Sequence, residues 1–219
     1  MAKSMIVQSV PVGPIMTNAY IVGCPETHQG AVIDPGDEAR RLTLLAEGEG
    51  LEIIKVLITH GHVDHVAAVG DLKKATGAEV LMNEADRPAY DNCVAQGMMF
   101  GIRASDPPPP DGTLSDGDEV EIGNLRAKVI ATPGHSPGGL SFYFEEQGTV
   151  FVGDTLFQGS IGRTDLPGGS LEELMKNIHT RLLVLPDDTR VLCGHGPATT
   201  VGVEKRSNPF VLEFGADKL

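Results

Sequence analysis

The sequence predicts a layered α/β fold with much antiparallel pairing. Three observations carry this. Short β-rich segments run the whole length of the chain and outnumber the helical ones. Amphipathic stretches of helical period interrupt them instead of collecting at one end. At 219 residues and 41% hydrophobic content, the chain has enough material for one domain, residues 1–219, with a core that needs no disulfides.

The elements follow in order. Ile6–Val10, Ala19–Val22 and Ala31–Ile33 read as short strands separated by Pro, Gly and Asn. Glu38 to Glu49 reads as a helix with Leu42, Leu44 and Leu45 as its apolar positions. Ile53–Ile58 is an almost continuous apolar run, the pattern of a buried strand. One helix is expected from Asp64 to Thr76, ending at Gly77, then a strand over Glu79–Met82. Ala85 to about Met99 is helical in character. Asp106 to Gly112 contains four consecutive prolines and reads as a stiff connection inside one domain. Strands follow at Glu119–Ile122, Ala127–Ala131, Leu140–Phe144 and Thr149–Val152. Leu174, Ile178, Leu182 and Leu185 mark a helix over Leu171–Leu185, Arg190–Leu192 a last strand, and Thr199 onward a helical turn.

Composition narrows the function. Thirty Asp+Glu against 17 Lys+Arg give a formal net charge of −13. A nucleic-acid or anionic-membrane partner calls for a basic excess, so neither is expected. No apolar stretch is long enough for a membrane helix, and the N-terminal stretch, broken by Pro11, Gly13 and Pro14, does not read as a signal peptide. Cys24, Cys93 and Cys193 are odd in number and widely spaced, which fits a reducing cytoplasm.

Seven histidines are the informative part of the composition. Four potential metal ligands fall within Thr59-His60-Gly61-His62-Val63-Asp64-His65. The apolar strand before them delivers the chain to a loop, where His60 and His62 face the same way. Asp64 is expected to cap the helix that follows. The same pattern, an apolar strand, a glycine and then a ligand, recurs at Gly134-His135, Gly153-Asp154 and Gly194-His195. Ligands in α/β proteins gather beyond strand ends. Seven ligands are too many for one ion and suit two, with Asp154 able to bridge through its two oxygens. A water between two dications ionises near neutral pH and becomes a nucleophile. His28 and His179 lie outside the pattern and read as ordinary capping or core histidines. Cys193 reads as inert packing.

These residues resemble the metallo-β-lactamase superfamily. The resemblance implies a four-layer αββα sandwich with metals at the sheet edge. It implies that His60, His62 and His135 hold one metal, that Asp64, His65 and His195 hold the other, and that Asp154 bridges. Flavodiiron members place Glu where this chain has His62, antibiotic-hydrolysing members lack the bridging Asp, and long RNA-processing members add a basic arm. The segments Gly153-Asp154-Thr155-Leu156-Phe157, Gly159–Asp165 and Gly194–Gly202, with Glu204-Lys205 and Asn208-Pro209-Phe210, look like the short bacterial hydroxyacylglutathione hydrolase (glyoxalase II)-like branch. That likeness implies a cytoplasmic thioester hydrolase with two divalent ions, zinc first, iron or a zinc/iron pair as alternatives. Its substrate would be a hydroxyacyl thiol such as lactoylglutathione, attacked by a metal-bridging hydroxide that Asp64 orients. Arg163 and Lys205 are the candidate substrate-binding residues. The helical segment with which full glyoxalase II enzymes bind glutathione has no counterpart in residues 196–219, so the thiol carrier stays open. Persulfide dioxygenases share the fold and a Gly-Arg-Thr-Asp stretch, and use one iron on residues matching His60, His135 and Asp154, so that reading is carried as the alternative. Hydrolysis of another ester, a lactone or a phosphodiester is a further possibility, and monomer and homodimer both stay open.

Overall fold

A computed structural model describes residues 4–214. Met1, Ala2 and Lys3, part of the stretch read against a signal peptide, lie outside the described residues. Among the described residues, no helix is long and apolar enough to cross a membrane.

The first half of the chain builds one six-stranded sheet, in spatial order β1-β2-β3-β4-β5-β6. Its strands are β1 (Ile6–Val12), β2 (Thr17–Gly23), β3 (Gln29–Ile33), β4 (Glu52–Leu57), β5 (Glu79–Met82) and β6 (Gly112–Thr113). The first three pair antiparallel, and β3 to β6 run parallel through helical crossovers. Those crossovers hold α1 (Ala39–Gly48), α2 (Val63–Val66), α3 (Val69–Thr76), α4 (Arg87–Asp91) and α5 (Cys93–Phe100). The second half builds another six-stranded sheet from β7 (Glu119–Ile122), β8 (Leu125–Ala131), β9 (Leu140–Phe144), β10 (Thr149–Gly153), β13 (Arg190–Cys193) and β14 (Thr199–Thr200). The small hairpin of β11 (Leu156–Phe157) and β12 (Ser160–Ile161) stands apart from both sheets. Helices α6 (Leu171–Asn177), α7 (Val201–Ser207) and α8 (Pro209–Phe214) complete the chain.

Three buried apolar clusters define four layers. One packs Leu42, Val69, Leu72 and Tyr90 of the helices onto Ile21, Val32 and Val56 of the first sheet. The middle one joins the inner faces of the two sheets through Ile33, Leu57, Phe142, Phe144 and Phe151. The third packs Leu174, Ile178, Leu182 and Val211 onto Val150, Val152 and Val191 of the second sheet. Each sheet is covered on both faces, which explains why Thr17–Gly23 and Leu140–Phe144 are buried at every position. The result is the αββα sandwich.

The structure corrects several local expectations. The single helix over Asp64–Thr76 is two, because the Ala68 amide donates to Pro35 O instead of continuing the helical ladder. In α1 the buried positions are Ala39, Leu42 and Ala46, while Leu44 is exposed. The helix expected over Leu171–Leu185 changes after Asn177 to a wider π turn, Ile178–Leu182, closed by Leu183 N–H to Ile178 O at 2.9 Å. The region 85–99 is a short 3-10 turn followed by α4 and α5. The proline stretch is stitched to the first half. Pro108 O accepts from Tyr90 Oη at 2.8 Å, and the Asp111 carboxylate accepts from Lys73 Nζ and the Val80 amide.

Candidate metal centre

The four strand-end loops converge at one edge of the sandwich. Loop 58–65 follows β4, His135 follows β8, Asp154 follows β10 and His195 follows β13. Among the described residues, three sets of potential ligand atoms each lie within 4.8 Å of one another: Asp34 with His60 and His65, and the two that make up the ligand groups of the centre, His60 with His62 and His135, and Asp64 with His65 and His195. Asp154 lies between them. Its Oδ1 is 3.4 Å from His65 Nε2, and its Oδ2 is 3.7 Å from His135 Nε2 and 3.5 Å from His195 Nε2. His60, His65 and His135 are buried, whereas His62, Asp64 and His195 are partly open at the mouth.

Hydrogen bonds behind the histidines fix which nitrogens face inward. Thr59 Oγ1 donates to Asp34 Oδ2 at 2.6 Å, so it has a lone pair for the His60 Nδ1–H at 3.0 Å. His65 Nδ1–H donates to Asp34 Oδ2 at 2.9 Å. His135 Nδ1–H donates to Arg163 O at 2.7 Å. All three rings therefore turn a bare Nε2 toward the centre. His62 presents Nδ1, 2.9 Å from His135 Nε2.

Acceptors consequently face acceptors. His60 Nε2 lies 3.2 Å from His135 Nε2, and His65 Nε2 lies 3.3 Å from Asp64 Oδ2. His65 Nε2 and Asp154 Oδ1 are buried without hydrogen-bond partners. Such groups are costly to bury unless a positive centre joins them. Tetrahedral ligands about 2.1 Å from a cation lie about 3.4 Å apart, which matches these separations. The donor set of imidazoles and carboxylates fits a pair of zinc or iron ions.

The electrostatics divide the two groups. Burial, then the neighbouring His65, His135 and His62, hold His60 well below the ordinary histidine range. Burial and His135 lower His62 to about 4. Burial works against charge on His65, yet Asp64, Asp154 and Asp34 outweigh it and hold its pKa well above the ordinary value. His195 is also raised, its own burial opposed by the Asp64 hydrogen bond and by Asp154. Burial would raise Asp64 and Asp154, but the histidines around them, His65 foremost, bring both below the carboxylate range. His60 and His62 thus favour the neutral imidazole, whereas Asp64 and Asp154 gather negative charge around His65 and His195.

Two carboxylates outside the strand-end motifs organise the loops. Asp34 is 2% exposed and accepts from Thr59 N at 2.7 Å as well as from Thr59 Oγ1 and His65 Nδ1. It thereby orients one ligand from each group, and those bonds make it an outer support of the ligands rather than a ligand itself. Asp86 accepts from Gly61 N at 2.9 Å, Ser136 Oγ at 2.8 Å and Gly138 N at 2.6 Å, locking loop 58–65 to the His135 loop. Gly61 serves this approach: a Cβ there would lie 2.7 Å from Asp86 O.

Other candidate residues fall as follows. Asp64 does not cap α2. His62 occupies that position, and the Asp64 carboxylate accepts from Thr17 Oγ1 at 2.9 Å and lies 3.2 Å from His195 Nε2. The Arg163 guanidinium is exposed at the rim and paired with Asp165 at 2.7 Å, while its carbonyl orients His135. Lys205 pairs with Asp187 at 2.6 Å on the surface. His28 and His179 belong to neither group. Burial pushes the Cys193 thiol up to about 12, which fits packing rather than reactivity.

Known proteins share this architecture. The profile of the metallo-beta-lactamase superfamily matches residues 12–195. The chain is 39% identical to hydroxyacylglutathione hydrolase GloC of Haemophilus influenzae, over 94% of this chain and 98% of that one. It is also 39% identical to the probable metallo-hydrolase YqgX of Bacillus subtilis, over 94% and 97%. Among solved structures, the BLEG-1 B3 metallo-beta-lactamase superposes with a TM-score of 0.88 at 36% identity, covering 94% of this chain and 99% of that one. The di-iron-bound form of TTHA1623 superposes at 0.85 with 41% identity, covering 93% and 100%. ETHE1 from Myxococcus xanthus superposes at 0.82 with 29% identity, covering 97% and 87%. With its sandwich, its four ligand loops and these relatives, the chain belongs to the metallo-β-lactamase superfamily and is a metal-binding protein of the metallo-hydrolase kind.

Proposed function

We propose that the protein hydrolyses hydroxyacyl thioesters, of which lactoylglutathione is the reference case. The observation that carries this is the pair of ligand groups joined by Asp154, with bare nitrogens and carboxylate oxygens converging from both sides. Two divalent ions, zinc first, would supply a nucleophilic hydroxide and polarise the thioester carbonyl. Asp64, braced by Thr17, stands at the mouth and orients the attacking water. A thiolate with a pKa near ~8.5 leaves without a strong general acid, so the site needs no further proton donor. Arg163 at the rim is the candidate for the substrate's acid end. The GloC relative supports the thioester, and the acidic surface disfavours nucleic acid or an anionic membrane as partner. Three buried free cysteines are consistent with a reducing cytoplasm.

A second reading, oxygen-consuming persulfide oxidation on one iron, is favoured by the Gly162-Arg163-Thr164-Asp165 stretch and by His60, His135 and Asp154, and ETHE1 from Myxococcus xanthus is a structural neighbour. Metal analysis of natively purified protein, combined with lactoylglutathione hydrolysis, oxygen uptake on glutathione persulfide and hydrolysis of a chromogenic β-lactam, separates the readings. Two ions with thioester turnover are expected. One iron with oxygen uptake, or turnover of the β-lactam alone, overturns the thioester assignment.

A further inference from the structure

The β11–β12 hairpin has two residues per strand and joins neither sheet. A hairpin that short does not hold its own shape in water. Yet it follows directly on Asp154 and leads to Arg163, whose carbonyl orients His135. It also carries Phe157, whose ring centroid lies 6.2 Å from that of His195, edge to face. Something outside the hairpin has to set its position.

Part of that support is apolar, Leu156 being buried in the third cluster with Phe157 and Ile161 packed against it, and the rest is a buried polar clamp from α7 and the residue that precedes α8. Glu204 and Asn208 are both 0% exposed. The Glu204 carboxylate accepts from Gly159 N at 2.9 Å, from Thr199 Oγ1 at 2.5 Å and from Asn208 Nδ2 at 2.8 Å. Asn208 Nδ2 also donates to Ser160 O at 2.9 Å, and Asn208 Oδ1 accepts from the Phe210 amide at 3.0 Å. A buried carboxylate is tolerated only when its oxygens are satisfied, so this one demands the hairpin amide at a fixed place.

We propose that Glu204 and Asn208 are positioning residues, which fix the Leu156–Arg163 segment against the metal centre and so set how the substrate is held. The C-terminal helices thus act on the substrate through the hairpin. The kinetic half of this inference rests on the thioester reading; the structural half does not.

The test uses metal-loaded full-length protein. Glu204→Ala strands the Gly159 amide, the Thr199 hydroxyl and one N–H of the Asn208 side chain, whose other N–H keeps Ser160 O. Amide hydrogen exchange over residues 156–163 is expected to rise, while metal content and exchange in β8 and β10 stay unchanged. For lactoylglutathione, KM is expected to rise about tenfold, the size of one lost hydrogen bond, with kcat little changed. Glu204→Gln keeps one oxygen for Gly159 and Asn208 and turns its amide to the Thr199 hydroxyl, so it should behave like wild type. Unchanged exchange in Glu204→Ala, a loss confined to kcat, or a Glu204→Gln as damaged as Glu204→Ala overturns the proposal. Should Glu204→Ala not fold, Thr199→Val removes one of the three donors. It should raise exchange and KM in the same direction by less, and no change in either overturns the clamp. Wild-type protein inert toward lactoylglutathione would sink the thioester reading, and the exchange arm would then decide the clamp alone.

Discussion

Replacing Asp34 by Asn tests the tautomer logic of the centre at one atom. Asp34 sits at φ 52, a left-handed conformation that Asn tolerates, so the backbone is not the variable. Its Oδ1 would still accept the Thr59 amide at 2.7 Å. Its other oxygen, which receives Thr59 Oγ1 at 2.6 Å and His65 Nδ1 at 2.9 Å, would become an NH2 group facing two donors. His65 must then either leave Nδ1–H unpaired in the core or move its proton to Nε2, the atom aimed at Asp64 and Asp154. The first choice costs about 1–3 kcal/mol of stability, and the second removes a ligand lone pair. Loss of an outer-shell partner of this kind weakens metal binding about 10- to 100-fold, or about 1.4–2.7 kcal/mol. Competition with a chromophoric chelator measures both sites separately. The Asp64/His65/His195 site should weaken most, and the His60/His62/His135 site less, because Thr59 retains its backbone anchor to Asp34. If Asp34→Asn binds two ions with wild-type affinities and melts at the wild-type temperature, the assignment of inward-facing Nε2 atoms is wrong.

Three further outcomes are expected. Asp154→Ala removes the one carboxylate placed between the groups and should abolish turnover and paired metal binding together; full activity in that variant refutes the bridging role. Acidification should release the ions in two steps. His65 and His195 have raised pKa values and take up protons first as pH falls, whereas His62, lowered to about 4, keeps its lone pair to more acidic pH. The Asp64/His65/His195 ion should therefore leave first, and simultaneous release, or the reverse order, in a pH-stepped metal analysis contradicts that. Gly194→Ala puts a Cβ 2.1 Å from Asp154 Oδ1 and 2.7 Å from His65 Cε1, so it should cost about 1–3 kcal/mol by thermal melt and lower metal occupancy.

The sequence carried the centre well because its ligands come as a local cluster plus three strand-end repeats. Apolar runs such as Ile53–Ile58 and Thr149–Val152 announced their strands, and each ended at a ligand. Asp34 and Asp86 are not legible in the sequence, for a physical reason. Their partners Thr59 and Gly61 are each 25 residues away, and only the parallel pairing of β3 with β4 and the packing of α4 bring them together. The helix break at Ala67–Ala68 was hidden in the same way, since its cause is the distant Pro35 carbonyl. The β11–β12 hairpin is too short to show an apolar period, and the polar bonds that help to hold it come from residues more than 40 positions away.

The ligands are shared unequally between the two halves of the chain. Loop 58–65 belongs to the first sheet and supplies His60, His62, Asp64 and His65, and the second sheet supplies His135, Asp154 and His195. Each group draws on both halves, so each ion would act as a staple across the sandwich and bind only halves that have already docked. Protein contacts prepare that docking, as Leu140 N donates to Thr59 O at 2.8 Å and Asn18 N to Gly194 O at 2.7 Å. Free metal concentration then becomes a thermodynamic handle on how firmly one half of the chain holds the other, growing with the logarithm of metal over its dissociation constant. Metal supply in the cell would thus govern the persistence of the fold as well as the chemistry at its edge.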